Sequence, residues 1–205
     1  MEWTQIFIPI VVSFAITVSV MPLFIGYFQM KKQGQVTRED GPTWHSVKTG
    51  TPTMGGVVFL VASLITSLAM GLFFHQFTPS LLIILFILVL YGLLGYLDDF
   101  IKVFKKRNMG LNSRQKLIGQ IFGGLVFYFV YRSEGFSDTL DLFGLAEVPL
   151  GIFYGVFIIF WLVGFSNAVN LTDGIDGLVA GLGTISFGTY AIIAWKQQQF
   201  DVVII

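Results

Sequence analysis

Residues 80–103 read SLLIILFILVLYGLLGYLDDFIKV, and this stretch decides the fold. From 80 to 97 no charged side chain interrupts the apolar run; Asp98 and Asp99 then follow side by side. A helix rising 1.5 Å per residue needs about 20 such residues to cross a hydrocarbon core of about 30 Å. A carboxylate beside a span of this kind is expensive, about 2.5–3.5 kcal/mol at mid-membrane on insertion scales, which makes Asp98 and Asp99 candidate functional residues.

Working outward, further apolar runs occupy 5–28, 54–74, 117–131, 149–165 and 177–195. With 55% hydrophobic and 12% charged residues, and a mean hydropathy of +0.79, the chain carries more apolar side chain than a soluble core of its size hides. The expected fold is all-α: a polytopic transmembrane helix bundle in the lipid bilayer, with six complete spans and the start of a seventh at Asp201, forming one integral-membrane domain over 1–205. The first span is expected to remain as a helix, because Glu2 stands where a signal peptide carries basic residues. Pro9 and Pro22 lie within or near its end, where neighbours must satisfy the carbonyls they free. The absence of cysteine excludes disulfides, thiolate metal sites and a cysteine nucleophile. Formal net charge is zero and no nucleic-acid partner is expected.

The distribution of charge is more informative than its total. Lys31, Lys32, Arg38 and Lys48 fall in one connection and Lys102, Lys105, Lys106, Arg107, Arg114 and Lys116 in another, leaving only Arg132 and Lys196 elsewhere. The positive-inside rule places both connections in the cytoplasm and the N-terminus outside. The chain crosses twice between Asp99 and Asp173, so both acidic clusters return to one face.

Four polar segments stand on that face. Adjacent Asp98 and Asp99 suit Mg²⁺, a hard cation that takes oxygen ligands and keeps positions for water and phosphate. The plainer alternative is a salt-bridged helix end, since Lys102 follows at i+4 and i+3. In FSNAVNLTDGIDGL (165–178), Asp173 and Asp176 are expected on one helix face, with Asn170 and Thr172 able to cap the helix start. Ordinary capping explains one polar residue there better than four within seven positions. The loop REDGPTWHSVKTGTPTMGG (38–56) offers Lys48 and the Thr51 and Thr53 hydroxyls to phosphate, although loops are routinely polar. His45 is a possible base, but a lone loop histidine is more often uninvolved, and His75 is expected outside. The basic stretch KVFKKRNMGLNSRQK (102–116) would attract anionic head groups or a phosphorylated substrate, or simply hold the topology.

Taken together, REDGPTWHSVKTGTPTMGG, GYLDDFIKV with GLNSRQK, and FSNAVNLTDGIDGL resemble, in order, the segments of the bacterial phospho-N-acetylmuramoyl-pentapeptide-transferases, within the polyprenyl-phosphate N-acetylhexosamine-1-phosphate transferase superfamily. The resemblance implies Mg²⁺-dependent transfer of phospho-MurNAc-pentapeptide from UDP-MurNAc-pentapeptide to undecaprenyl phosphate. The products would be lipid I and UMP, made for peptidoglycan at the cytoplasmic face of the bacterial plasma membrane. It implies that Asp98 acts on the lipid phosphate as base or orienter and that Asp99 helps to hold the metal, both carboxylates being candidate catalytic and metal-binding groups. Lys48, Thr53, Lys102 and Lys116 would contact phosphates, and Asn170, Asp173 and Asp176 would bind the uridine side or support the metal. A homodimer is the assembly considered for relatives.

Two rival functions are weighed. An ion-coupled transporter also places acids and glycines at helix ends, but does not account for the basic loop. An inert truncated paralogue or assembly partner takes another feature seriously: relatives carry a further acidic loop residue and a His-rich segment that this sequence lacks. The chain is therefore expected to be the N-terminal two-thirds of a longer transferase, with little or no activity alone. Robust lipid I synthesis by the 205-residue chain would overturn that expectation.

Overall fold

A computed structural model describes residues 4–31, 51–105, 109–142 and 144–205. The order of elements is α1 (Thr4–Met30), α2 (Gly56–Phe73), α3 (Pro79–Phe104), α4 (Ser113–Ser133), β1 (Thr139–Asp141), β2 (Glu147–Pro149), α5 (Phe153–Thr172), α6 (Leu178–Lys196) and α7 (Phe200–Val203). All six expected spans are helices. Helix α1 continues through both Pro9 and Pro22 and packs on α2.

Helices α1, α2, α3, α5 and α6 are each long and apolar enough to cross a membrane. Their outer surfaces remain apolar, with Leu23 75%, Phe160 75% and Phe187 76% exposed. Helices satisfy their own backbone polar groups, so such surfaces are at home in lipid. The fold is an all-α polytopic membrane bundle.

Helix α4 differs from the other five. It begins with Ser113, Arg114, Gln115 and Lys116, carries Gln120 further along and Arg132 near its end, and falls outside the group apolar enough to span by composition. Its place is set by packing between α3 and α5. Gly119 and Gly123 face Leu94 and Leu90 of α3, where an added Cβ would come within 2.6 and 2.4 Å of a leucine methyl. Close approach through small residues replaces the hydrophobic driving force that lipid does not provide.

Two segments beyond the six spans also take regular structure, the second of them where the start of a seventh span was expected. The segment after α4 forms an antiparallel hairpin, pairing Thr139 with Pro149, Leu140 with Val148 and Asp141 with Glu147. Beside it, the Tyr131 hydroxyl donates to Ser137 O at 2.7 Å. The apolar run at the end of the sequence forms the short helix α7, which packs against the start of α3. There the Thr78 hydroxyl donates to Asp201 Oδ2 at 2.5 Å and accepts from Leu81 N at 3.2 Å. Thr78 thus caps α3 ahead of Pro79, a residue suited to the first helical turn.

The α3–α4 contact generates a test. Gly123→Leu should destabilise the bundle by about 1–3 kcal/mol through overpacking against Leu90 and Tyr91. It is read as a lower thermal midpoint in detergent; an unchanged midpoint would mean that the two helices do not meet at Gly123.

Candidate active site

The site begins where α3 loses its apolar character. Asp98, on the last turns of α3, is buried, while Asp99 beside it is half-buried. Lys102 lies one turn further on and reaches both, at 2.7 Å to Asp98 Oδ2 and 2.8 Å to Asp99 Oδ1. The salt-bridged helix end is therefore real, but it is only part of a larger arrangement. Lys116 arrives from α4 and pairs with Asp98 Oδ1 at 3.0 Å, and the Leu111 N–H donates to the same oxygen at 2.8 Å.

Local sequence explains how the chain returns to Asp98. Asn112 caps α4 by accepting from Gln115 N at 2.8 Å, and the Gln115 side chain accepts from Asn112 N at 3.0 Å. This reciprocal capping box fixes where α4 starts and sets Lys116 one turn inside it. Gly110 makes the approach possible. A Cβ there would stand 2.3 Å from Asp98 Oδ1 and 2.5 Å from the Asp98 carbonyl oxygen, so any side chain would push the loop off the carboxylate.

Asp98, Asp99, Lys102 and Lys116 sum to zero formal charge. A buried carboxylate without partners would cost several kcal/mol, and two ammonium groups with a backbone amide offset most of it. The lysine side chains remain 37% and 32% exposed, against 8% for Asp98 and 42% for Asp99. The cations thus face a cleft of about 580 Å³ lined by Asp98, Lys102, Gly110, Asn112, Lys116 and, from α5, Asn170.

The structure brings Asp98, Lys102, Lys116 and Asn170 to this cleft and keeps Asp99 beside it through Lys102. Thr53 precedes α2, its hydroxyl buried and without a hydrogen-bond partner among the described residues. Lys48 and His45 lie outside the described residues. The expected helix start at Asn170–Asp176 is corrected. Asn170 and Thr172 belong to the last turn of α5, and the Thr172 hydroxyl donates back to Ala168 O at 2.8 Å instead of capping. Asp173 and Asp176 sit in the turn between α5 and α6, exposed, and share no helix face. Gly177 explains the break: the chain turns after Asp173, and Gly177 takes φ +81° just before α6, a conformation glycine adopts without penalty.

Several contributors were not singled out from sequence: Gly110, the Leu111 amide, and the Asn112–Gln115 box, whose N-x-x-Q spacing was a legible signal. Deeper between the helices, Gln120 bonds Ser166 and Asn167 of α5.

Comparison with known proteins now bears on this geometry. Residues 81–205, which contain every described site residue except Thr53, match the glycosyl transferase family 4. The chain belongs to that family. Residues 48–60, containing Lys48 and Thr53, match the phospho-N-acetylmuramoyl-pentapeptide-transferase signature 1. The chain is similar to the phospho-N-acetylmuramoyl-pentapeptide-transferase of Enterococcus hirae, 71% identical over 100% of this chain and 64% of the relative. It is also similar to those of Latilactobacillus sakei, 58% identical over 98% and 62%, and Listeria monocytogenes, 50% identical over 94% and 60%. The chain thus spans 60–64% of the length of these relatives. In this family 4 member, the two matched stretches between them contain every residue to which the resemblance gives a role.

Gly110→Ala should displace the loop from Asp98. The expected result is at least about tenfold faster hydrogen exchange at the Leu111 amide and a stability loss of about 1–3 kcal/mol from the carboxylate oxygen left short of a partner. Exchange at the parental rate would show that the amide does not depend on Asp98.

Proposed function

We propose that this chain supplies the membrane-edge part of a phospho-N-acetylmuramoyl-pentapeptide-transferase, moving phospho-MurNAc-pentapeptide from UDP-MurNAc-pentapeptide to undecaprenyl phosphate and releasing UMP. The observation that carries the proposal is the convergence of Asp98, Lys102, Lys116 and Asn170 on one polar cleft at the end of an apolar helix. A membrane-anchored phosphate and a soluble nucleotide meet only at such an edge. The two basic connections support a cytoplasmic cleft and an outside N-terminus.

In this reaction an oxygen of the lipid phosphate attacks the sugar-linked phosphorus. The bond from that phosphorus to the bridging oxygen breaks, and its electrons leave with UMP. Lys102 and Lys116 are suited to donate to phosphate oxygens, exchanging a carboxylate partner for a phosphate one while the local charge stays balanced. Asp98 orients both ammonium groups and the lipid phosphate. Thr53 and Lys48 would add contacts from the first polar loop, and Asn170, Asp173 and Asp176 would serve the uridine side.

Among the described residues no cluster of three or more acidic or histidine side chains forms a ready metal cage. Mg²⁺ does not require one, since it is commonly held by one or two carboxylates with waters and substrate phosphates. Asp99, the more accessible carboxylate, fits that requirement, whereas Asp98 would first have to release Lys102 or Lys116. When bound, Mg²⁺ would neutralise charge on the diphosphate. A homodimer remains the assembly to test by light scattering in nanodiscs.

The test is turnover of radiolabelled UDP-MurNAc-pentapeptide with undecaprenyl phosphate and Mg²⁺, comparing this chain with a form extended to the length of its relatives. Lipid I formation by the extended form, reduced about 10²-fold or more in Asp98→Asn, is the expected result. Absence of turnover in both correctly folded forms would overturn the proposal in favour of transport or an inert partner.

A further inference from the structure

Gln120 is a primary amide 9% exposed, on a helix otherwise packed by glycine and apolar side chains. Its Nε2 donates to Ser166 Oγ at 2.8 Å, and its Oε1 accepts from Asn167 Nδ2 at 2.9 Å. Its backbone carbonyl accepts from the Tyr91 hydroxyl of α3 at 3.0 Å. One residue of α4 is thereby bonded to both flanking helices. Ser166 and Asn167 each also donate to Val163 O, at 3.4 and 2.8 Å, so the α5 partners are themselves oriented.

Position relative to the cleft gives this network its significance. Gln120 lies four residues after Lys116, and Asn167 three residues before Asn170, so each is about one turn from a cleft-lining residue on its own helix. Gln120, Ser166 and Asn167 do not line the cleft. Apolar packing is non-directional and tolerates sliding, whereas an amide that both donates to and accepts from one neighbouring helix accepts a single register. A slip of one residue would move α5 by 1.5 Å and turn it by about 100°, breaking both bonds and carrying Asn170 away from Lys116.

We infer that Gln120 is a positioning residue: through Ser166 and Asn167 it fixes the register of α5 against α4 and so holds Asn170 at the cleft lined by Lys116 and Asp98. Its consequence for substrate binding rests on the transferase reading of that cleft. Its consequence for helix register does not. Close packing at Gly124, where an added Cβ would meet Ile159 Cγ1 at 3.0 Å, keeps α4 and α5 together without the amide. Loss of Gln120 therefore loosens the register without dissolving the bundle.

Because the sequence contains no cysteine, two spin labels can be introduced cleanly. Ile118→Cys on α4 and Leu171→Cys on α5, both exposed, report the distance between the cleft ends of the two helices. Electron–electron double resonance in nanodiscs should give one narrow distribution in the parent. Gln120→Leu should at least double its width, and Asn167→Ala, which removes the Oε1 contact from the α5 side, should broaden it as well. In the form extended to the length of its relatives, Gln120→Leu should raise KM for UDP-MurNAc-pentapeptide about tenfold while kcat stays within about threefold, and Asn167→Ala should raise KM with the same sparing of kcat. Should Gln120→Leu fail to fold, Asn167→Ala removes the same contact from the α5 side. An unchanged distance distribution, or a broadened one with unchanged KM, overturns the inference. If the unsubstituted extended form shows no turnover, the transferase reading fails, and the distance measurement still decides the register.

Discussion

The carboxylate of Asp98 is buried at the end of a membrane-length helix, and the polar part of the described structure is organised around making that tolerable. Two lysines and one backbone amide converge on it from three directions. Each comes from a different local device: Lys102 from helical spacing, Lys116 from a capped helix start, and the Leu111 amide from a loop that only glycine at 110 allows so near. An isolated buried ion of this kind would be costly, and breaking a buried pair costs more than forming it contributes. The three devices therefore depend on one another. Just ahead of α4, Gly110 and Leu111 are held against Asp98 by the Leu111 amide.

Helix α4 bears the consequences of that arrangement. Its first turns must carry Lys116 and the capping residues, and its interior carries Gln120, so it cannot also be a uniformly apolar span. It is instead held by contact. Glycines let α3 come close on one side, Gly124 lets α5 come close on another, and Gln120 adds direction to packing that is otherwise indifferent to sliding. Lipid-facing helices such as α6 face no such conflict. Helix α4 gives up apolar composition because it carries both Lys116 and Gln120, whereas α3 confines Asp98, Asp99 and Lys102 to its last two turns and stays apolar before them.

The helices were legible because length and apolar content suffice for them, and all six expected segments form. Asp98, Lys102 and Lys116 were legible as chemistry, since buried acids and clustered bases stand out against so apolar a background. Their mutual geometry was only half legible: the i+3 and i+4 spacing of Lys102 announced its ion pairs, whereas Lys116 reaches Asp98 across a loop whose path periodicity does not encode. The segment 170–177 was misread for a related reason. Polar residues able to cap a helix start also occur at a helix end, and Gly177 resolves it as a turn. Asn112 and Gln115 carried a recognisable signal, while the hairpin at 139–149 consists of strands too short to show alternation.

On the proposed chemistry, the commitment of Asp98 also bears on the course of the transfer. A covalent aspartyl intermediate would require Asp98 to attack phosphorus with lone pairs now directed at Lys102, Lys116 and Leu111 N–H. Each charge-assisted bond lowers the nucleophilicity of the oxygen that accepts it, Oδ1 through Lys116 and the Leu111 amide and Oδ2 through Lys102, so neither oxygen is left as a free nucleophile. Direct attack by the lipid phosphate asks less. The two partly exposed lysines turn toward incoming phosphate oxygens, the carboxylate stays as their anchor, and opposite charges remain adjacent throughout. The geometry around Asp98 therefore favours an orienting role for this carboxylate and a single-step displacement.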